Sequence, residues 1–229
     1  MEKITKPCPV DERRYVFTEN MNYFNTGKKS IWGQGDKETL NLLDKEQIKG
    51  NWLHLAAGDG RYNLILLKKA DSVTVTDIDA SALSKLWYYT PEEYKSNLKI
   101  KVFNLLDKFP FKDDSLDGIF NTGTLHLFPQ EVAEHIFKEI HRVLKPGGKV
   151  IIDFAVDAKR TKINDGMPYI IKNRKDYTID EAKIFLKRMF NDYEFKITES
   201  EPMRIVMKKA NPPYILECRF LLLVAKKNN

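Results

Sequence analysis

Apolar and polar positions divide the chain into strand-like and helix-like runs that alternate. Trp52, Leu53, Leu55 and Ala56 read as a buried strand. It breaks at Ala57-Gly58-Asp59-Gly60 and passes into a helical stretch over residues 61–70 carrying Leu64, Ile65, Leu66 and Leu67. Ser72–Asp77 is a β-branched run ending in a carboxylate, and Asp79 is a fitting N-cap for a helix behind it. Residues 98–103 alternate with period two, and Leu116–Asn121 is a further short strand. Residues 129–144 then place Val132, Ile136, Phe137, Ile140 and Val143 on one helical face. Lys145-Pro146-Gly147-Gly148 stops that helix and turns the chain into an apolar strand over residues 149–154. Upstream, Asp36 caps a helix to about residue 45 with Leu40, Leu42 and Leu43 inside it. Downstream, residues 179–191 read as a helix, and residues 193–198 and 214–224 as strands with no long helix between them. That tail predicts an antiparallel pair at one sheet edge. The whole alternation predicts a doubly wound α/β sheet, mostly parallel, with right-handed crossovers.

With 229 residues, 42% of them hydrophobic, the chain has material for one sizeable core. A single domain over residues 1–229 is therefore expected, with 51–155 as its ligand-binding core and 156–229 as a C-terminal helix and edge strands. Residues 1–35 are irregular: Pro7 and Pro9 discourage helix, and Tyr15, Phe17, Tyr23, Phe24 and Trp32 alternate with polar residues, as in a lid segment that lies on something else. The net charge of +6 leans only mildly toward anionic partners, because the lysines are scattered among Asp and Glu. Cys8 and Cys218 form neither a disulfide framework nor a zinc-ligand set, which fits a reducing cytoplasm and predicts no metal site. The longest apolar runs are strand-sized, so no membrane insertion is expected.

The chemistry gathers around Gly58-Asp59-Gly60. Two residues that tolerate positive φ and carry no Cβ let a ligand approach backbone at the strand-to-helix turn. Asp77 follows Gly58 by 19 residues, at the end of the next strand. The stretches LHLAAGDGRY, VTVTDIDASAL, FPFKDDSLDGIF, GTLHLF and RVLKPGGKVII, in that order over about residues 51–155, resemble the class I S-adenosylmethionine-dependent methyltransferases, in particular their small-molecule branch. The resemblance implies a Rossmann-like sheet of seven strands ending in a reversed hairpin, with S-adenosylmethionine as cofactor. It also implies roles. Ala56, Ala57, Gly58 and Gly60 would border the cofactor's amino-acid part, and Asp77 would accept both ribose hydroxyls. Ile78 and Leu105 would cover the two faces of the adenine, Asn104 would bond its exocyclic amine, and Asn121 and Thr122 would come closest to the methyl donor. Each has a plain structural alternative: a tight turn for the glycines, a helix cap for Asp77, an Asx turn for Asn104.

Two positions depart from the family pattern. Ala56 stands where a glycine is usual and is tolerable if it keeps negative φ. His54 stands where an acidic residue is usual, so Asn51, Asp59 or backbone carbonyls would have to receive the cofactor's ammonium; a neutral core histidine is the simplest account of it. His126, after the fourth strand, is the candidate general base, against a packing role at the mouth of the sheet. Tyr15, Tyr23, Trp32 and Tyr169 are candidate walls of an acceptor pocket, with residues 162–176 as a second lid element. Asn211-Pro212-Pro213-Tyr214 matches a signature of amino-group methyltransferases but lies just before the last strand, where it reads as a structural turn.

For the acceptor, a small molecule is favoured over nucleic acid, because Lys28-Lys29, Lys68-Lys69, Lys208-Lys209 and Lys226-Lys227 are dispersed rather than clustered. The other readings are an RNA methyltransferase, a cofactor-binding protein without catalysis, and an NAD-dependent oxidoreductase. The last needs a glycine three residues past Gly60, where the chain has Asn63.

Overall fold

The computed structural model describes residues 22–171, 174–208 and 210–229. Six helices and eight strands alternate along them: α1 (Lys37–Lys45), β1 (Asn51–Leu55), α2 (Asn63–Leu67), β2 (Ser72–Asp77), α3 (Ala80–Tyr89), α4 (Glu92–Lys95), β3 (Leu98–Val102), β4 (Leu116–Asn121), α5 (Gln130–Val143), β5 (Leu144–Lys162), α6 (Ile179–Met189), β6 (Tyr193–Glu199), β7 (Met203–Met207) and β8 (Tyr214–Lys227). Local chemistry starts several helices as the sequence predicts. The Asp36 side chain accepts from Thr39 N at 2.7 Å, Asp79 from Ser81 N at 2.8 Å, and Thr178 and Glu181 form a capping box on α6. α2 is shorter than the predicted 61–70, because the turn through Gly60 runs on until Asn63 N closes on Gly60 O at 3.0 Å.

The sheet order is β3-β2-β1-β4-β5-β8-β6, with β7 also on β8. Strands β1 to β5 pair in parallel; β8 runs antiparallel to β5, and both β6 and β7 antiparallel to β8. Seven strands are expected and eight are found. The register explains the difference: β6 pairs with residues 221–227 of β8 and β7 with residues 214–218, so the two share one lane. Pro202, which has no N–H to give a ladder, sits in the break between them. The fifth strand also outruns the predicted 149–154. Its last partner on β4 is Ile152, yet it stays paired with β8 as far as Lys162, past a bulge between Val156 and Lys159. Residues 153–162 and their β8 partners therefore form an arm projecting beyond the carboxyl ends of the parallel strands.

Both faces of the parallel strands are apolar, as a covered sheet requires. Leu53, Leu55, Ile119, Val150, Ile152 and Phe154 pack in one cluster with residues of α5 and α6. Their chain neighbours Trp52, Phe120 and Ile151 pack on the other side with residues of α1, α2 and α3. Among the described residues no helix is long and apolar enough to cross a membrane.

Candidate functional site

β1 ends at the turn the sequence singles out. Ala57 N donates to Thr76 O at 2.8 Å and Gly58 N to Asp77 Oδ2 at 2.8 Å, which ties the turn to the end of β2. Ala56 has φ +46°, so the condition for tolerating an alanine there, a negative φ, is not met. The turn demands a left-handed residue there, and a side chain in that region costs roughly 1–2 kcal/mol. Gly60 (φ +89°) is required by packing, since a Cβ on it would come 2.8 Å from Leu86 Cγ. Ala57 is buried on the same side of the sheet as Leu86.

Asp59 and Asn51 are not free to receive an ammonium group, contrary to the expectation. Asp59 is fully buried and pairs with Lys85 Nζ at 2.7 Å, with side-chain exposures of 0% and 1%. It also accepts from Ile31 N at 2.8 Å and from the Ser30 hydroxyl. Asn51 lies at the opposite, amino end of β1, where its Oδ1 accepts from the Ser72 hydroxyl. Lys85 further donates to Thr26 Oγ1 at 2.7 Å and Lys29 O at 2.8 Å. This buried pair thus fastens the described part of the amino-terminal segment to the glycine turn. Trp32 completes the contact: its indole lies 3.3 Å from where a Gly58 Cβ would stand, and its carbonyl accepts from Arg61. Tyr23 is buried beside α3 and Phe24 packs on Tyr88 and Tyr89. Tyr15 and Phe17 lie outside the described residues.

Asp77 is 9% exposed, and its Oδ1 accepts from Asp79 N at 3.0 Å. Burial pushes its pKa up, against the pull of the Asp79 and Gly58 amides. Ile78 beside it is exposed. Phe103 N bonds Asp77 O, which brings the end of β3 alongside; there Asn104 Oδ1 accepts from Leu106 N at 3.0 Å, the Asx-type turn, and Leu105 is buried against the α5 side. At the end of β4 the fully buried Asn121 donates from Nδ2 to Leu55 O at 2.8 Å, and its Oδ1 has no partner among the described residues. Thr122 follows at the half-buried mouth of the sheet. All ten named residues therefore stand at one edge, the carboxyl ends of β1 to β4. β1 and β4 are the strands between which the order reverses, the place where open sheets bind ligands.

His54 is buried with its ring 5.0 Å from that of Phe120. Burial holds it neutral with a pKa of about 3, although the Asn63 side chain pulls the other way. His126 sits in a 3₁₀ turn, Leu125–Leu127, buried against Phe154 and Phe220. Burial, Arg174 and Arg160 hold its pKa well below the ordinary imidazole value, which makes it a weak base. Sequence reasoning passed over Asp153. This residue is 3% exposed, accepts from Gly123 N at 2.6 Å, and is pushed by burial to a pKa of about 7. Its signal was present in the chain, as the one carboxylate in the apolar run Val150-Ile151-Ile152-Asp153-Phe154.

Known proteins place this arrangement. The family described as a methyltransferase domain matches residues 53–152. An uncharacterised methyltransferase, sll0829 of Synechocystis sp., is 24% identical over 134 residues, a match that spans 58% of this chain and only 58% of that protein's own length. Among solved structures, DhpI in its SAH complex aligns with TM-score 0.58 at 21% identity over 82% of each chain. An S-adenosylmethionine-dependent methyltransferase from Mesorhizobium loti aligns with TM-score 0.55 at 16% identity, over 83% of this chain and 96% of the other. At these identities the structural likeness speaks for the fold, and the family match speaks for the site-bearing stretch. Residues 53–152 match the methyltransferase-domain family, and the sheet they build has the fold of S-adenosylmethionine-dependent methyltransferases.

Proposed function

We propose that the whole chain transfers a methyl group from S-adenosylmethionine to a small-molecule acceptor. Asp77 carries this reading: a carboxylate nine-tenths buried at the carboxyl end of β2, fixed by two backbone amides, with lone pairs left over for the two hydroxyls of a ribose. The cofactor brings hydroxyl, ammonium and amine donors, and this edge answers with acceptors, the unpartnered Oδ1 of Asn121 among them. Ile78 and Leu105 offer apolar surface for the adenine on either side of Asp77 and Asn104. The bound cofactor supplies a methyl already activated on a sulfonium, which leaves the chain to align the acceptor and exclude water. If the acceptor atom sheds a proton, Asp153 is the group here tuned to take it near neutral pH.

The lysines support a compact acceptor rather than a nucleic acid. Lys69 Nζ bonds the carbonyls of Leu43 and Glu46 at the carboxyl end of α1, and Lys227 Nζ those of His141 and Leu144 at the end of α5. They close helix ends instead of forming a phosphate track.

Isothermal titration with S-adenosylmethionine and its demethylated product tests the cofactor site. Asp77→Ala should weaken binding by about ten- to hundredfold, the loss of charge-assisted hydrogen bonds worth roughly 1.5–3 kcal/mol. Labelled cofactor offered to small-molecule pools, tRNA and duplex DNA tests the acceptor. Label in nucleic acid, with affinity that persists near physiological salt, would overturn the small-molecule reading; tight cofactor binding with no label in any pool would favour a binding protein.

A further inference from the structure

The arm beyond the carboxyl edge carries two guanidinium groups that the fold leaves under-employed. Arg160, on β5 past the bulge, is 5% exposed. Its Nη1 donates to Asp176 Oδ2 at 2.8 Å, but its Nε and Nη2 are buried with no partner among the described residues. Nε of Arg174 is likewise buried and unpartnered, while its Nη2 stands 3.5 Å from His126 Nε2. A neutral His126 that accepts there through Nε2 carries its proton on Nδ1, and Nδ1 is also buried without a partner. The unmet groups are thus all donors. Two cations share one neighbouring carboxylate, Asp176, whose side chain is 40% exposed. The charge is felt: burial and the neighbouring Arg160 hold Arg174 down to a pKa of about 10.

A fold gains nothing from burying a fork of charged N–H groups with nothing to bind, because each bears its desolvation cost uncompensated. Planar forks of this kind match the paired oxygens of a carboxylate or a phosphoryl group. Aromatic residues of the arm stand beside Arg160. Tyr169 N bonds Arg160 O at 2.9 Å, and the rings of Tyr169 and Tyr214 lie 5.2 Å apart. Burial also argues against a polynucleotide, whose phosphates are met by exposed stripes of cations. The cluster lies past Ile152, where β4 has ended, on the same side as Asn121, Gly123 and Asp153.

We propose that the acceptor carries an oxyanionic group, carboxylate or phosphoryl, which is anchored between Arg160 and Arg174 while another part of the molecule receives the methyl group. The proposal rests on the small-molecule reading above. Two measurements on the full chain separate its failure from the failure of that reading. The first is thermal unfolding against inorganic phosphate, and separately acetate, at constant ionic strength held with chloride. Saturable stabilisation is expected from at least one, abolished in Arg174→Gln, and the more effective anion identifies the group. Arg174 is half-buried, so this variant should fold even if Arg160→Gln does not. No stabilisation, or equal stabilisation in the variant, overturns the site. The second is labelled methyl transfer into small acids and their neutral amides or esters. Acids should be labelled at least about a hundredfold faster, with Arg174→Gln raising KM more than tenfold at unchanged cofactor affinity. Equal labelling of acids and neutral partners, with the variant unaffected, overturns the anchor and leaves small-molecule transfer standing. Label confined to RNA overturns the small-molecule reading, and the anion titration then decides the site by itself.

Discussion

The two ends of the site are finished to different degrees. At the glycine turn the two carboxylates are answered, Asp77 by the Gly58 and Asp79 amides and Asp59 by Lys85, Ser30 and Ile31, while the Asn63 amide and His54 Nδ1 behind them have no hydrogen-bond partner among the described residues. At the β4–β5 end, Asn121 Oδ1, His126 Nδ1 and three guanidinium nitrogens are buried with no partner among the described residues, and Asp153 is held at a pKa of about 7. A fully satisfied polar network is rigid, and a partly satisfied one is held in place by its surroundings at a cost in stability. The first end therefore has its two carboxylates held in position by the fold itself. The second keeps its polar groups open, which suits the side where specificity is decided.

The sharpest way to break this contrast is to strand one of the two answered carboxylates. Lys85→Met strands the buried Asp59 carboxylate and should cost about 3–5 kcal/mol in urea unfolding, releasing the segment that carries Thr26 and Ser30. A loss below about 1 kcal/mol would mean that the pair does not hold the turn. The opposite experiment relieves the unsatisfied end. Because burial raises Asp153 to a pKa of about 7, the folded state keeps a proton that the unfolded chain releases near pH 4. Stability from this group is present below that pH, falls by about 1.4 kcal/mol per pH unit as pH rises toward 7, and is flat above. Asp153→Asn should remove that decline, gaining on the order of 2–4 kcal/mol over the wild type at pH 8, while turnover falls. Parallel stability profiles from pH 4 to 8 would refute it. A smaller effect is expected at Ala56, where Ala56→Gly exchanges left-handed strain for chain entropy and should stabilise by roughly 0.5–1 kcal/mol in the same assay. Destabilisation there would show that the methyl group packs usefully. The smallest effect is expected at Asn211, in the turn between β7 and β8: Asn211→Ala should leave turnover and cofactor affinity within about twofold, and a hundredfold drop in a folded variant would place that tetrapeptide in the site.

The parallel half of the fold was legible because its signals are local. Apolar runs, Asp caps and the glycine turn mark β1, β2, α3 and α5 without reference to anything distant. What stayed hidden is what tertiary context decides. β7 reads as a short alternation of half-buried and exposed residues between charged neighbours, and it is a strand only because β8 is there to pair with it. The sign of φ at Ala56 follows from how the turn must close on Thr76 and Asp77. Asp59 looked available for a ligand because its partner, Lys85, is 26 positions away on the buried face of α3. Arg160 and Arg174 look like ordinary surface charges in the chain, since nothing local announces that a guanidinium is buried.

β8 has a consequence for how such a protein can diversify. Residues 221–225 of this one strand are mostly sealed in the core, whereas Ile215 and Leu216 are half-buried and Glu217 and Arg219 are exposed on either side of the buried Cys218. The first part is bound to β5 and β6 within the sheet, the second to β7 and the far end of β5. A single continuous segment thus answers to two sets of constraints, with Arg219 and Phe220 at the border. Substitutions on the outer half can accumulate and remodel the surface of the arm while the inner half goes on closing the core, so change there need not pass through an unfolded ancestor.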